Sequence, residues 1–156
     1  MSTKSENYVV NNFQYAKAAG LKFNMDPLVI LAQGAHESGW GTSGLSTKSN
    51  NFFGITAGGS KNEYWDGEIY QAQNKYKLKF RVYKTPQDSF YDFARLISTK
   101  YKSAHAASND YKTYAQRIAY SPYISESNGD SREGYRSAII NLYENIMSTV
   151  KKKALI

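Results

Sequence analysis

There is no cysteine in this sequence, there are only two histidines, and no run of apolar residues approaches the ~18 needed to cross a bilayer. Each absence closes off a class. Without cysteine there is no thiolate metal site, no cysteine nucleophile and no disulfide scaffold, and two histidines argue against a multi-histidine metal centre. The opening stretch MSTKSENYVVNNFQYAKAAG has neither the apolar core nor the small-residue cleavage site of a secretory signal, so no export signal is expected in the chain as written. No internal repeat or low-complexity segment interrupts it. Chemistry must come from carboxylates, hydroxyls, amides or aromatics, with no metal and no cofactor expected.

Positive charge and tyrosine are present in quantity. The formal charge of +7 points to an acidic partner, whether nucleic acid, an anionic membrane or an anionic wall polymer. Nucleic acid ranks low, because the basic residues are dispersed and no nucleic-acid motif is present. Fourteen tyrosines and two tryptophans bury area while keeping a polar tip wet, which suits a sugar-stacking cleft. A chain of 156 residues buries roughly two thirds of its unfolded surface and is expected to be one domain, residues 1–156.

Local patterns place the elements. A helix is expected from about Ser5 to Ala19, stopped at Gly20, and a second over Pro27 to Ser38 with Asp26 as N-cap and Leu28, Leu31, Ala32 and Ala35 on one face. The Gly, Ser and Asn-rich stretch after it is anchored by Leu45, Phe52, Phe53 and Ile55 and reads as a long ordered loop. Asp66-Gly67 is a hairpin signal. In the following strand Tyr76, Leu78, Phe80 and Val82 alternate with Lys77, Lys79, Arg81 and Tyr83, predicting an apolar inner and a basic outer face. Helices follow from Pro86, over Asp110 to Ala119, and from about Ser131 to Val150, with the closing KKKALI frayed. Two helices, a small sheet over about residues 60–84 and three helices make an α+β domain: a mainly helical body with a β-hairpin lobe.

Glu37 stands out. It sits in the last turn of its helix, where the macrodipole disfavours a carboxylate by about 0.3–1 kcal/mol, on a stripe with Ile30, Gln33 and Gly34, and just before Trp40 between two glycines. Gly34 within a helix costs roughly 1 kcal/mol against Ala, which points to something packed close against the backbone. Raising a Glu from about 4.3 to near 6 takes about 2.3 kcal/mol, more than the dipole supplies. Drying by Trp40 or Phe52 is expected to supply the rest.

LAQGAHESGWGTS, SNNFFGI, NEYWDG and FRVYKTPQDSFYDFARLI, with a late Tyr-rich loop, together resemble glycoside hydrolase family 73, the flagellar and autolysin-type N-acetylglucosaminidases that digest peptidoglycan. The resemblance runs from about Asn24 to Tyr143 and implies a lysozyme-like fold whose β-lobe walls the cleft. Glu37 matches the general acid, and Glu63 the second carboxylate on a mobile lobe. Trp40 matches the aromatic of the first motif, Asn51, Phe52 and Gly54 match a cleft-lining segment, and Tyr64 and Trp65 beside Glu63 are taken as substrate contacts. For the cleft tyrosine both Tyr120 and Tyr123 are candidates, since the late segment carries an insertion through Gly129 before Gly134-Tyr135.

The function implied is cleavage of the β-1,4 bond between N-acetylglucosamine and N-acetylmuramic acid. A muramidase, a lytic transglycosylase and a non-catalytic glycan-binding module remain as alternatives. The expected partner is the glycan strand of peptidoglycan, met in the periplasm or cell wall by a monomer without a membrane span. Phage release, delivery as an effector with a cognate immunity protein, or export within a larger protein would bring it there. Neighbouring candidates have plainer readings: His36 points about 100° away from Glu37, His105 lies at the surface, Asp66 serves its turn and Asp88 its helix start. Glu126 and Asp130 read as a solvated loop rather than a metal or substrate site.

Overall fold

The computed structural model describes residues 3–73, 75–126 and 131–156. In chain order these form α1 (Lys4–Phe23), α2 (Pro27–Ser38), α3 (Gly44–Ser49), β1 (Ile69–Gln71), β2 (Lys79–Arg81), α4 (Pro86–Lys100), α5 (Lys102–Ala106), α6 (Tyr111–Ala119) and α7 (Arg132–Lys152). The α+β expectation holds: a helical body carries a two-stranded antiparallel lobe. No helix among the described residues is long and apolar enough to cross a membrane.

Helix α2 is the axis of the body. The Asp26 carboxylate accepts from the Leu28 N–H at 2.9 Å and Pro27 opens the first turn. Every residue from Leu28 to Ala35 is buried, so the helix is not the one-faced element its spacing suggests. A helix apolar all round belongs inside, and α1 and α7 pack against it. At its far end His36 and Glu37 emerge into solvent. Gly34 has the close neighbours its type demands: a Cβ there would stand 2.5 Å from the Tyr8 hydroxyl oxygen and 3.2 Å from Phe53. That hydroxyl donates to the Leu31 carbonyl at 2.8 Å, tying α1 to α2.

Several boundaries differ from expectation. Gly20 does not stop α1, which runs on to Phe23 and ends at Asn24 in the left-handed region (φ 55°). Gly20 is glycine because the chain folds back over it: Met25 N–H bonds its carbonyl at 3.0 Å, and a Cβ would collide with the Met25 carbonyl. The long loop contains α3, started by Ser43, whose hydroxyl accepts from the Ser46 N–H at 3.1 Å. His105 is half-buried rather than superficial, its Nε2 lying 2.6 Å from the Phe23 carbonyl. The C-terminal KKKALI is not frayed: Lys152 and Lys153 reach Glu6 at 3.4 and 3.2 Å, and Leu155 bonds back to Val150 and packs on the core.

The lobe departs most. Asp66-Gly67 is not the hairpin turn; Asp66 accepts from the Glu68 N–H at 3.1 Å and Gly67, at φ 100°, bends the chain before β1. β1 and β2 pair in the register Ile69 with Arg81, Tyr70 with Phe80 and Gln71 with Lys79. The alternation holds only in part: Lys77 and Lys79 are exposed as expected, but Tyr76 at 70% and Leu78 at 48% are exposed too, while Arg81 and Tyr83 are buried. The cause is Asp92 on α4, itself fully buried, which accepts from Arg81 at 2.7 Å, Tyr83 at 2.5 Å, Arg95 at 2.9 Å and Asn62 at 3.0 Å. A buried carboxylate needs such partners, and it draws Arg81 and Tyr83 inward.

Candidate active site

A cleft of about 970 Å³ opens between the end of α2, the lobe, the end of α4 and the start of α7. Glu37, Gly54 and Tyr123 are the sequence-predicted site residues that line it. His36, Phe53, Leu78, Phe80, Lys100, Tyr101 and Tyr135 complete much of its wall. Among the described residues lining the cleft, Glu37 is the one carboxylate.

The geometry around Glu37 starts from the end of its helix. Gly39, Trp40 and Gly41 all have positive φ, at 57°, 59° and 74°, so the chain turns sharply just after the carboxylate and leaves it projecting. Gly54, at φ 65°, brings its backbone close: a Cβ would sit 3.9 Å from Glu37 Oε2. Opposite, the Tyr135 hydroxyl donates to Glu37 Oε1 at 3.2 Å. The Tyr135 oxygen in turn accepts from Gln33 Nε2 at 3.0 Å, and Tyr114 donates to Gln33 Oε1. Burial pushes the Tyr123 and Tyr135 hydroxyls well above the usual tyrosine range, with the Glu37 charge adding to both, so both keep their protons. Tyr135 also carries the edge of His36, ring centroids 4.9 Å apart.

The remaining predicted residues lie elsewhere, each for a physical reason. Trp40 packs edge-on against Tyr8 at 5.7 Å, on the α1 side, and does not dry Glu37, which is exposed. Phe52 is core, 5.4 Å from Phe90, and its neighbour Phe53 takes the cleft position. Asn51 is 1% exposed and spends its amide on the loop, donating to the Ile55 and Arg81 carbonyls and accepting from the Phe53 and Ile55 N–H groups. It shapes the loop that presents Phe53 and Gly54 and does not line the cleft.

Glu63 is outside the cleft lining. Its side chain is 68% exposed and pairs with Lys22 at 3.5 Å, and the Tyr64 hydroxyl with the Lys22 ammonium holds the carboxyl below its usual range. Tyr64 packs on Phe23 and Tyr91 beneath Lys22. Trp65 donates to the Glu68 carbonyl at 2.8 Å and carries the Arg81 guanidinium 4.1 Å above its ring. Neither lines the cleft. Tyr120 is 51% exposed and donates to Glu133 at 2.8 Å, so of the two candidate tyrosines it is Tyr123 that the fold brings to Glu37's cleft. His36, set aside on its helical angle, belongs to the cleft wall.

Tyr135 was missed as a site residue because it also fits the apolar stripe of the last helix. Its signal was the Gly134-Tyr135 pair closing the late Tyr-rich segment. Glu126 pairs with Arg132 at 3.7 Å, and Asp130 lies outside the described residues. Among the described residues no three His, Cys, Asp or Glu gather to hold a metal ion.

Comparisons with known proteins agree with this architecture. The family model described as mannosyl-glycoprotein endo-beta-N-acetylglucosaminidase matches residues 13–148. The peptidoglycan hydrolase FlgJ of Vibrio parahaemolyticus is 29% identical over 135 residues, 78% of this chain and 42% of that protein. The exo-glucosaminidase LytG of Bacillus subtilis is 31% identical over 133 residues, 79% of this chain and 46% of that protein. The chain thus spans less than half the length of these curated relatives. Among solved structures, the glycoside hydrolase domain of Salmonella typhimurium FlgJ superposes with a TM-score of 0.75 at 22% identity, covering 99% of this chain and 94% of that one. A type VI secretion system effector-immunity complex from Pseudomonas protegens matches with a TM-score of 0.67 at 17% identity, covering 94% and 96%.

Proposed function

Since this chain belongs to the endo-beta-N-acetylglucosaminidase family, glycoside hydrolase family 73, we propose that it cleaves the β-1,4 bond on the reducing side of N-acetylglucosamine in peptidoglycan, with Glu37 as proton donor. The observation that carries this reading is Glu37 held by Tyr135 in an aromatic-walled cleft, facing the apolar edge of the lobe. Phe80, Tyr101 and Tyr123 supply faces for sugar rings, and Lys100 gives the wall a positive character suited to an acidic polymer.

With one carboxylate among the described residues lining the cleft, the chemistry runs through the substrate's own 2-acetamido group. Glu37 gives its proton to the glycosidic oxygen as the bond from that oxygen to C1 breaks. The acetamido carbonyl oxygen forms a bond to C1 in its place. Water then attacks C1, giving its proton back to Glu37 and releasing the acetamido group. Glu37 is exposed, so a seated sugar, not Trp40, excludes water from it. Tyr135 steadies the carboxylate form after transfer, and Tyr123, held protonated, is placed to donate to the acetamido group or a ring hydroxyl.

The test is digestion of purified peptidoglycan by the parent and by Glu37→Gln, followed by borohydride reduction and mass analysis. Reduced N-acetylglucosamine ends from the parent alone support the reading. Reduced muramic ends identify a muramidase, anhydro-muramic ends a transglycosylase, and binding without products a glycan-binding module. Delivery as an effector with an immunity partner has as its support the fold shared with a chain of the Pseudomonas protegens effector-immunity complex. Toxicity on directing the chain to the periplasm, abolished by Glu37→Gln, is the expected outcome, and harmless periplasmic expression counts against it.

A further inference from the structure

We infer that Gln33 is a positioning residue that fixes the direction of a hydrogen-bond chain ending at Glu37 and thereby decides which carboxyl oxygen carries the catalytic proton. The inference rests on the reading of Glu37 as the proton donor. Gln33 lies four residues before Glu37 on α2, fully buried, where a polar side chain is costly unless every atom is used. Both its ends are used. Its Oε1 accepts from the hydroxyl of Tyr114 on α6, and its Nε2 donates to the hydroxyl oxygen of Tyr135 on α7 at 3.0 Å.

A tyrosine hydroxyl has one hydrogen. Because the Tyr135 oxygen receives the Gln33 amide, its hydrogen goes to Glu37 Oε1. An oxygen accepting that bond does not also point a proton at Tyr135, so in the acid form the proton sits on Oε2, the oxygen on the Gly54 side of the cleft. Turning the carboxamide over would reverse every bond. Tyr135 would then donate to Gln33, and Glu37 would give its proton to Tyr135 instead of to the substrate. Tyr114 opposes that reversal. Among the described residues Gln33 is its one hydrogen-bond partner, and burial pushes its hydroxyl far above the usual range, so it keeps a proton that only a carbonyl at Gln33 Oε1 can take.

Besides Tyr135, the titratable and charged groups that share the cleft with Glu37 are His36 on its own helix, Arg81 on β2, Lys100 and Tyr101 at the end of α4, and Tyr123. They are identical in every variant below, so a change in pH profile reports on the chain itself. The experiment compares parent, Gln33→Met and Tyr114→Phe for kcat and KM on purified peptidoglycan across pH, with thermal melts. Gln33→Met is expected to lose roughly ten- to hundred-fold in kcat with KM within about two-fold. Its alkaline limb moves to higher pH, because a weakened Tyr135 donor stabilises the ionised carboxylate less. Tyr114→Phe, which keeps the volume and serves if Gln33→Met does not fold, moves both quantities the same way by less. A folded Gln33→Met with the parental kcat and limb, or a kcat loss with no limb shift in both variants, overturns the inference. Glu37→Gln separates the two readings: if it stays active the assignment of Glu37 fails, and if it is inactive while Gln33→Met and Tyr114→Phe match the parent, only the role of Gln33 fails.

Discussion

The buried network on α2 runs from Tyr114 through Gln33 and Tyr135 and ends on a carboxyl that faces solvent. The one on α4 closes on itself: Asp92 is fully buried and receives Arg81, Tyr83, Arg95 and Asn62. Both take polar groups out of water, and both satisfy them. The difference is what is left over. The closed network spends its charge holding lobe to body, while the open one is neutral along its length and delivers orientation to an atom a ligand can reach. A buried polar cluster therefore reads as architecture when it closes and as a functional site when it points outward.

Removing the end of each network separates catalysis from stability. Glu37→Gln is expected to lower kcat by about 10²–10⁴-fold while leaving the urea midpoint near the parental value. Asp92→Ala should do the opposite in kind, stranding the buried Arg81 guanidinium and costing about 3–5 kcal/mol in urea unfolding. Gly34→Ala, placed between the networks, gains about 1 kcal/mol of helix propensity but drives a methyl into the Tyr8 hydroxyl and Phe53; a net loss of about 1–3 kcal/mol is expected by the same measurement.

Glu63→Gln breaks only an exposed ion pair, so peptidoglycan turnover is expected to stay within about two-fold of the parent. The smallest effect concerns Glu6, whose carboxyl Lys153, with Thr3 and Lys152, holds at about 2 against an ordinary 4.5. A lowered folded-state value stabilises above the unfolded value and is lost as pH falls through the folded one. Parent and Glu6→Gln should therefore differ in urea midpoint above about pH 4.5 and converge near pH 2.

The helical body was legible because its signals are local: Asp26, Thr85 and Ser131 cap their helices as their types and positions suggest. Glu37 was legible through its awkward helix position and Gly34 through its cost. What escaped was long-range. Tyr135 and Tyr114 meet Gln33 across 102 and 81 residues, and no periodicity encodes that. The inward turn of Arg81 and Tyr83 is not legible, because alternation distinguishes two faces of a strand without saying which meets the body. Here Leu78 and Phe80 turn to the cleft, and Arg81 meets Asp92 while Lys77 and Lys79 stay exposed. Trp40, Asn51 and Phe52 were picked out by motif, yet they build the backbone around Glu37 rather than its surface.

Glu37 is expected to work without a second protein carboxylate, the substrate's acetamido group taking that part. Proton NMR of the first-formed product, recorded before mutarotation on a soluble peptidoglycan fragment, tests it most directly. Two displacements at C1 predict a β-anomer at the new reducing end. An initial α-anomer would mean a single displacement by a base-activated water and would contradict the account.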